Sequence, residues 1–108
     1  MLNYGGPEMD RLICETLWPG APWFVSSPRS DSVIVWDGEP FMPSTNIKDA
    51  WEVVNLLRKD RKYANVMQRQ EVAHCTFEDF DGLELCRAKA DTAPMAICVA
   101  ALRAMEAK

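Results

Sequence analysis

His74 and Cys75 are adjacent, and an imidazole beside a thiol is the pairing that makes a thiolate nucleophile. The surrounding V-A-H-C-T-F alternation reads as a strand, and neighbours on a strand point to opposite faces. The base must come within about 3 Å of the thiol, which adjacent strand residues cannot manage. His74 is the chain's one histidine, so Cys75 has no second imidazole to use. His74 and Glu78 do share a strand face, but four residues of strand set them about 13 Å apart, too far to ligate one metal. Glu78, Asp79, Asp81 and Glu84 crowd a short stretch, yet they lack the spacing of a calcium-binding loop. No catalytic residue, metal set or cofactor is expected, and the protein is not expected to be an enzyme.

These acids read as a solvated hairpin tip, with a protein-contact patch that mimics nucleic-acid phosphate as the functional alternative. The opposite pole is Arg58, Lys59, Arg61 and Lys62, which suit the C-terminal end of a helix. A formal net charge of -4 opposes non-specific attachment to nucleic acid or to an anionic membrane. Double-stranded-RNA-binding domains share a helix–strand–strand–strand–helix order, but they need a lysine cluster at the start of the closing helix. Here that position reads Asp91-Thr92-Ala93-Pro94, so direct nucleic-acid binding is not expected. The aromatic residues offer more. Trp18, Trp23, Phe24, Trp36 and Phe41 gather in or beside one irregular stretch. They either pin that stretch to the body as a satellite cluster or form a partner-binding surface, since tryptophan buries a large area with few rotatable bonds.

The elements that must position these residues follow from periodicity. Met9, Leu12, Ile13 and Leu17 keep helical spacing, Pro7 suits a first turn, and Trp18-Pro19-Gly20 ends the helix. Residues 19–43 hold five of the seven prolines and form an irregular arm. Within it, V-I-V-W at 33–36 reads as a strand, residues 23–25 as a second short apolar run, P-R-S-D-S between them as a hairpin loop, and W-D-G-E-P-F-M-P as a turn-rich connection. Ser44, Thr45 and Asn46 are all good N-caps for a helix whose stripe is Ile47, Ala50, Trp51, Val54 and Leu57. Trp51 on that stripe is expected to be structural.

From residue 63 the period becomes two, giving strands over about 63–70, 72–80 and 83–88. Asp81-Gly82 supplies a two-residue hairpin turn. That turn sets Phe77 opposite Cys86 and Cys75 opposite Ala88. Ala73, Cys75, Phe77, Cys86 and Ala88 then form the buried face, and His74, Thr76, Glu78, Leu85, Arg87 and Lys89 the other. A closing helix occupies about 92–107, capped by Asp91 or Thr92. Its apolar side is Met95, Cys98, Val99, Leu102 and Met105. Ala96, Ala100 and Ala104 form a smooth second stripe. That stripe is read as facing the 47–57 helix of the same chain, with a homo-oligomer contact as the alternative. Cys14, Cys75, Cys86 and Cys98 fall one per element with no C-x-x-C pair, and they read as free thiols of a reducing compartment.

The fold class expected is α+β: an α/β/α-type sandwich whose three- to five-stranded sheet is mainly antiparallel. Helix–strand–strand–strand–helix runs from residue 46 onward. An N-terminal helix precedes it and covers the sheet's other face. All 108 residues are taken as one domain.

Two stretches carry a resemblance. P-S-T-N-I-K-D-A-W-E-V-V-N-L-L contributes Ser44, Thr45, Ile47, Ala50, Trp51, Glu52, Val53 and Val54. A-D-T-A-P-M-A-I-C-V-A-A-L-R-A-M contributes Thr92, Ala93, Pro94, Ala96, Ile97, Cys98, Ala100, Ala101 and Leu102. Both resemble the best-marked segments of the phage ABA-sandwich domain family. The likeness spans about residues 37–105, with a looser match at 9–18. It departs at 63–90 and in the arm before Trp36. The resemblance implies an α/β/α sandwich of phage or prophage origin and supplies no catalytic residues.

The functional expectation is a phage-encoded accessory protein acting by binding in the host cytoplasm, as an inhibitor or sequestering protein aimed at a host defence component. The expected partner is a host protein or complex, with a small nucleotide-like ligand in second place and no membrane. The expected contact residues are Trp18, Trp23, Phe24, Trp36, Phe41, Glu78, Asp79, Asp81 and Glu84. A self-associating assembly or regulatory protein, and a small enzyme with an unrecognised site, are the alternatives.

Overall fold

The computed structural model describes residues 6–25, 34–36 and 38–106. The P-R-S-D-S loop lies outside these. Helix α1 is Pro7–Leu17, followed by short strands β1 (Trp23–Val25), β2 (Ile34–Trp36) and β3 (Glu39–Phe41). Helix α2 is Ile47–Lys59, strands β4 (Tyr63–Arg69), β5 (Val72–Glu78) and β6 (Glu84–Ala90) follow, and α3 (Ala93–Glu106) closes the chain. The strands form two three-stranded antiparallel sheets, β1-β2-β3 and β4-β5-β6, in an α+β sandwich-like fold. Among the described residues no helix is long and apolar enough to cross a membrane.

Helix α3 is the centre of the molecule. Its residues from Met95 to Leu102 are all buried, so it is apolar around its whole circumference, as a core helix must be. It packs on all three strands of the second sheet, on α2 and on α1. Thr92 caps it, its Oγ1 accepting from the Met95 N–H at 3.4 Å. The alanine stripe is consumed within the chain: Ala96 and Ala100 are 0% exposed and Ala104 is 1%. The stripe packs within the chain, as expected, and the alternative of a homo-oligomer contact finds no exposed area at these three alanines. Helix α1 leans chiefly on α3 and β2 instead of covering the second sheet's other face. That face carries Asn65, Met67, Arg69, Arg87 and Lys89 exposed.

The expected pairing of Phe77 with Cys86 and Cys75 with Ala88 holds. The turn that produces it differs. Asp79 N–H donates to the Leu83 carbonyl, and Gly82 N–H donates to the Asp79 carbonyl, so the loop is longer than two residues. Gly82 takes a φ of 85°, the left-handed position such a loop reserves for glycine. A bulge beside Phe77 and Glu78 absorbs one extra residue of β6 and restores the register further in.

Of the three candidate caps for α2, Asn46 does the capping, accepting from Lys48 N–H at 2.9 Å and Asp49 N–H at 3.4 Å. Ser44 is freed for another task, binding Asp10 and Gly6. The buried arc of α2 is Ala50, Val53, Val54 and Leu57. Trp51, expected in the core, is 45% exposed and Ile47 is 44%, so that expectation is corrected. The arc that meets α3 is built from smaller residues, which lets the two helices approach.

Helix α2 ends in a tight left-handed turn. Arg61 has a φ of 60°, while Lys62 N–H reaches back to the Leu57 carbonyl. Glycine is the residue suited to that conformation. Arg61→Gly should therefore stabilise the fold by about 0.5–1 kcal/mol, the relief of left-handed strain exceeding the entropy added to the unfolded chain. Urea denaturation checks this, and a lower midpoint contradicts it.

Candidate functional site

Register explains how the aromatic residues meet. In the first sheet Trp36 pairs with Trp23 on one side and Glu39 on the other, and Ile34 pairs with Phe41. Cross-strand partners and every second residue share a face. Trp23, Ile34, Trp36, Glu39 and Phe41 thus lie on one face, and Phe24, Val35 and Pro40 on the other. Phe24 is accordingly 58% exposed. Trp36 pairs directly with Glu39, and Gly38, just before β3, has a φ of 79°. Strand β3 falls in the stretch expected to be a connection.

The inner face settles on the end of α1. Cys14, Ile34 and Phe41 are buried together, with Trp18, Trp23 and Trp36 packed against them. Trp18 also packs on the main core, so it joins the two clusters. Its carbonyl accepts from Ala21 N–H at 3.2 Å and from the Trp23 indole N–H at 2.9 Å. Trp18, Trp36 and Phe41 meet edge to face, with centroids 5.2, 5.6 and 5.5 Å apart. Each such pair contributes about 0.5–1.5 kcal/mol beyond its buried area. Trp18, Trp23, Trp36 and Phe41 form a satellite cluster that pins the arm, and Phe24 takes no part in it.

Trp18, Trp36 and Phe41 also bound a cleft of about 320 Å³, lined further by Glu39, Pro40, Lys48, Asp49 and Glu52. That size sits at the small end of ligand sites, which start near 300 Å³. One wall is aromatic and the rim carries three carboxylates against one ammonium. Asp49 fixes its own wall, its Oδ2 accepting from the Met42 N–H at 2.9 Å. Glu39 and Glu52 are exposed and form no ion pair with a described residue. Trp18, Trp36 and Phe41 are thus brought together at the cleft. Trp23 packs behind them, and Phe24 faces away.

The hairpin acids line no part of this cleft. Asp79 is spent on its own turn, its Oδ1 accepting from the Asp81 and Leu83 N–H groups at 2.9 Å. Glu84 is held by Arg87, whose hydrogen bonds keep its carboxyl below the usual carboxylate range. Glu78 is half-buried and Asp81 exposed. Beside them Phe80 is 77% exposed and Leu83 is 66%, two apolar tips that the charge pattern did not single out. On the open face of the second sheet, a smaller cleft of about 250 Å³ is lined by Met67, Arg69, His74, Thr76 and Arg87. His74 and Cys75 point to opposite faces. Burial pushes the Cys14 and Cys75 thiols up to about 12, so neither is a thiolate at neutral pH.

Glu39, Lys48, Asp49 and Glu52 were not among the expected contact residues. The signal for Glu39 was Asp37-Gly38, a hairpin dipeptide that sets it opposite Trp36. The helical spacing of Lys48 and Glu52 put them on one side of α2, but nothing local says that side faces the arm.

The model of a known family, described as the phage ABA sandwich domain, matches residues 22–102. The match takes in the arm from residue 22, which the resemblance read from the sequence left outside. No curated protein and no solved structure matches the chain.

Proposed function

Since the chain belongs to the phage ABA sandwich domain family, we propose that it is a phage accessory protein that acts by binding. Its target is a protein of the host cell, which it inhibits or sequesters, and its contact surface is the aromatic cleft. The observation that carries this reading is the cleft itself: Trp18 and Trp36, both half-exposed, sit beside Glu39 and Glu52, which form no ion pair among the described residues, on a sheet pinned to α1. Tryptophan is enriched among interface hot spots, and charge at a rim tunes encounter with a partner.

The test is affinity capture from host lysate, followed by purification of the captured protein and titration against variants. Trp36→Ala should weaken that complex roughly 10- to 30-fold. Because Trp36→Ala also loosens the arm, Glu52→Arg provides the second arm of the test. It changes an exposed helix position and leaves the packing alone. A partner that binds both variants as well as it binds the parent chain overturns the reading.

A further inference from the structure

We infer that the cleft takes the guanidinium group of an arginine presented by the partner protein; this rests on the binding reading above. Three observations converge. The wall is aromatic, with half-exposed Trp18 and Trp36 backed by buried Phe41, and tryptophan attracts cations more strongly than the other aromatic rings. The rim holds Glu39, Asp49 and Glu52 against Lys48 alone, a net of two negative charges around one small opening. Glu39 and Glu52 stand without a cationic partner among the described residues, so a cation entering the cleft breaks no ion pair.

The charge excludes the competing occupants. A nucleotide could stack on the tryptophans, but its phosphates would face three carboxylates. An apolar anchor such as leucine would leave those carboxylates partly desolvated and unpaired. Arginine fits better than lysine, because its planar group is weakly hydrated, stacks on aromatic rings and offers paired N–H donors to a carboxylate. Asp49 has one oxygen committed to the Met42 N–H, so Glu39 and Glu52 are the carboxylates free to close on the guanidinium.

The probe is a capped Gly-Arg-Gly peptide, followed by the indole N–H resonances of the four tryptophans. Saturable shifts at Trp18 and Trp36 are expected, with a Kd on the order of 1 mM. Trp51, outside the cleft on exposed α2 surface, should stay still. Glu39→Gln and Glu52→Gln should each weaken binding roughly five-fold, and Lys48→Ala should tighten it about two-fold. The matching citrulline peptide keeps the shape without the charge and should not bind. Equal binding of the citrulline or lysine peptide, or shifts that spread to Trp51, overturns the assignment. If Glu52→Arg abolishes the host complex while the arginine peptide fails to bind, the cleft is the contact surface and its occupant is not arginine. If the peptide binds and the host complex survives both variants, the cation site stands and the proposed contact surface falls.

Discussion

Replacing Asp10 by alanine is expected to cost about 3 kcal/mol, a large effect for one exchange in the first helix. Asp10 is buried, and its Oδ1 accepts from the Ser44 N–H at 2.8 Å and the Ser44 hydroxyl at 2.7 Å. The Ser44 hydroxyl oxygen in turn accepts from the Gly6 N–H at 2.8 Å. One carboxylate therefore ties the start of α1 to the loop that launches α2. Alanine leaves the Ser44 N–H unpaired in a dry site and opens a void; hydrogen bonds to charged groups are each worth about 1.5–3 kcal/mol. Asp10→Asn keeps an acceptor oxygen and should cost only about 1 kcal/mol.

The same residue carries a pH signature. Burial pushes its carboxyl above the ordinary 3.8, Ser44's hydrogen bonds pull it down less strongly, and the charge of Asp49 adds to the rise. A raised folded-state value means the native state holds the proton more tightly than the unfolded chain. Asp10's contribution is therefore complete below about pH 3.8 and falls away as pH rises through the folded value. Thermal melts of the parent chain and Asp10→Asn should show the parent gaining on the variant as pH falls through the raised folded value toward the ordinary 3.8. A constant gap between the two overturns this account.

How much of this was legible follows from where the determinants sit. Helices obey one-dimensional rules, so α1 and α3 end within a residue of the periodicity, while α2 stops at Lys59, short of the Arg61 and Lys62 that were read into its C-terminal end. The Phe77–Cys86 pairing was legible for a less obvious reason. A longer loop and a bulge each shift the register by one, and together they give the pairing that a two-residue Asp-Gly turn would give. Asp10 was opaque because its partner lies 34 residues away and an acid on a helix usually faces water. Trp51 misled because the stripe was read rotated about the helix: the buried arc takes in Val53 and leaves Ile47 and Trp51 at its exposed edge. In the arm, prolines obscured the sheet; Pro40 sits inside β3, an edge strand where a missing N–H is tolerated. The cleft was half legible. Its tryptophans stand out by type and Glu39 follows from the register opposite Trp36, while Asp49 and Glu52 are recruited from α2 by tertiary packing.

Phe77 and Phe80, three residues apart and alike in chemistry, should respond oppositely to alanine. Phe77 is 0% exposed, the largest of the fully buried side chains among the described residues, on the β5 face that packs under α3. Its removal takes a whole ring from the junction of the central helix and the sheet. The loss should be about 3–5 kcal/mol, because the surroundings relax only partly into such a void. Native stability for a domain of this size is about 5–15 kcal/mol, so Phe77→Ala should leave the chain close to unfolding at 37 °C. Phe77→Leu, which keeps most of the volume, should cost roughly 1–2 kcal/mol and preserves a measurable transition. Phe80 lies past the bulge, in the loop, and points to solvent. Phe80→Ala should shift stability by no more than about 0.5 kcal/mol. Urea midpoints of the three variants decide the matter. Equal losses at the two positions would mean that the loop and bulge do not turn Phe80 outward as described. The contrast also separates stability from binding. Phe80 is free to be part of a contact surface because it carries no load in the core, and Phe77 is not.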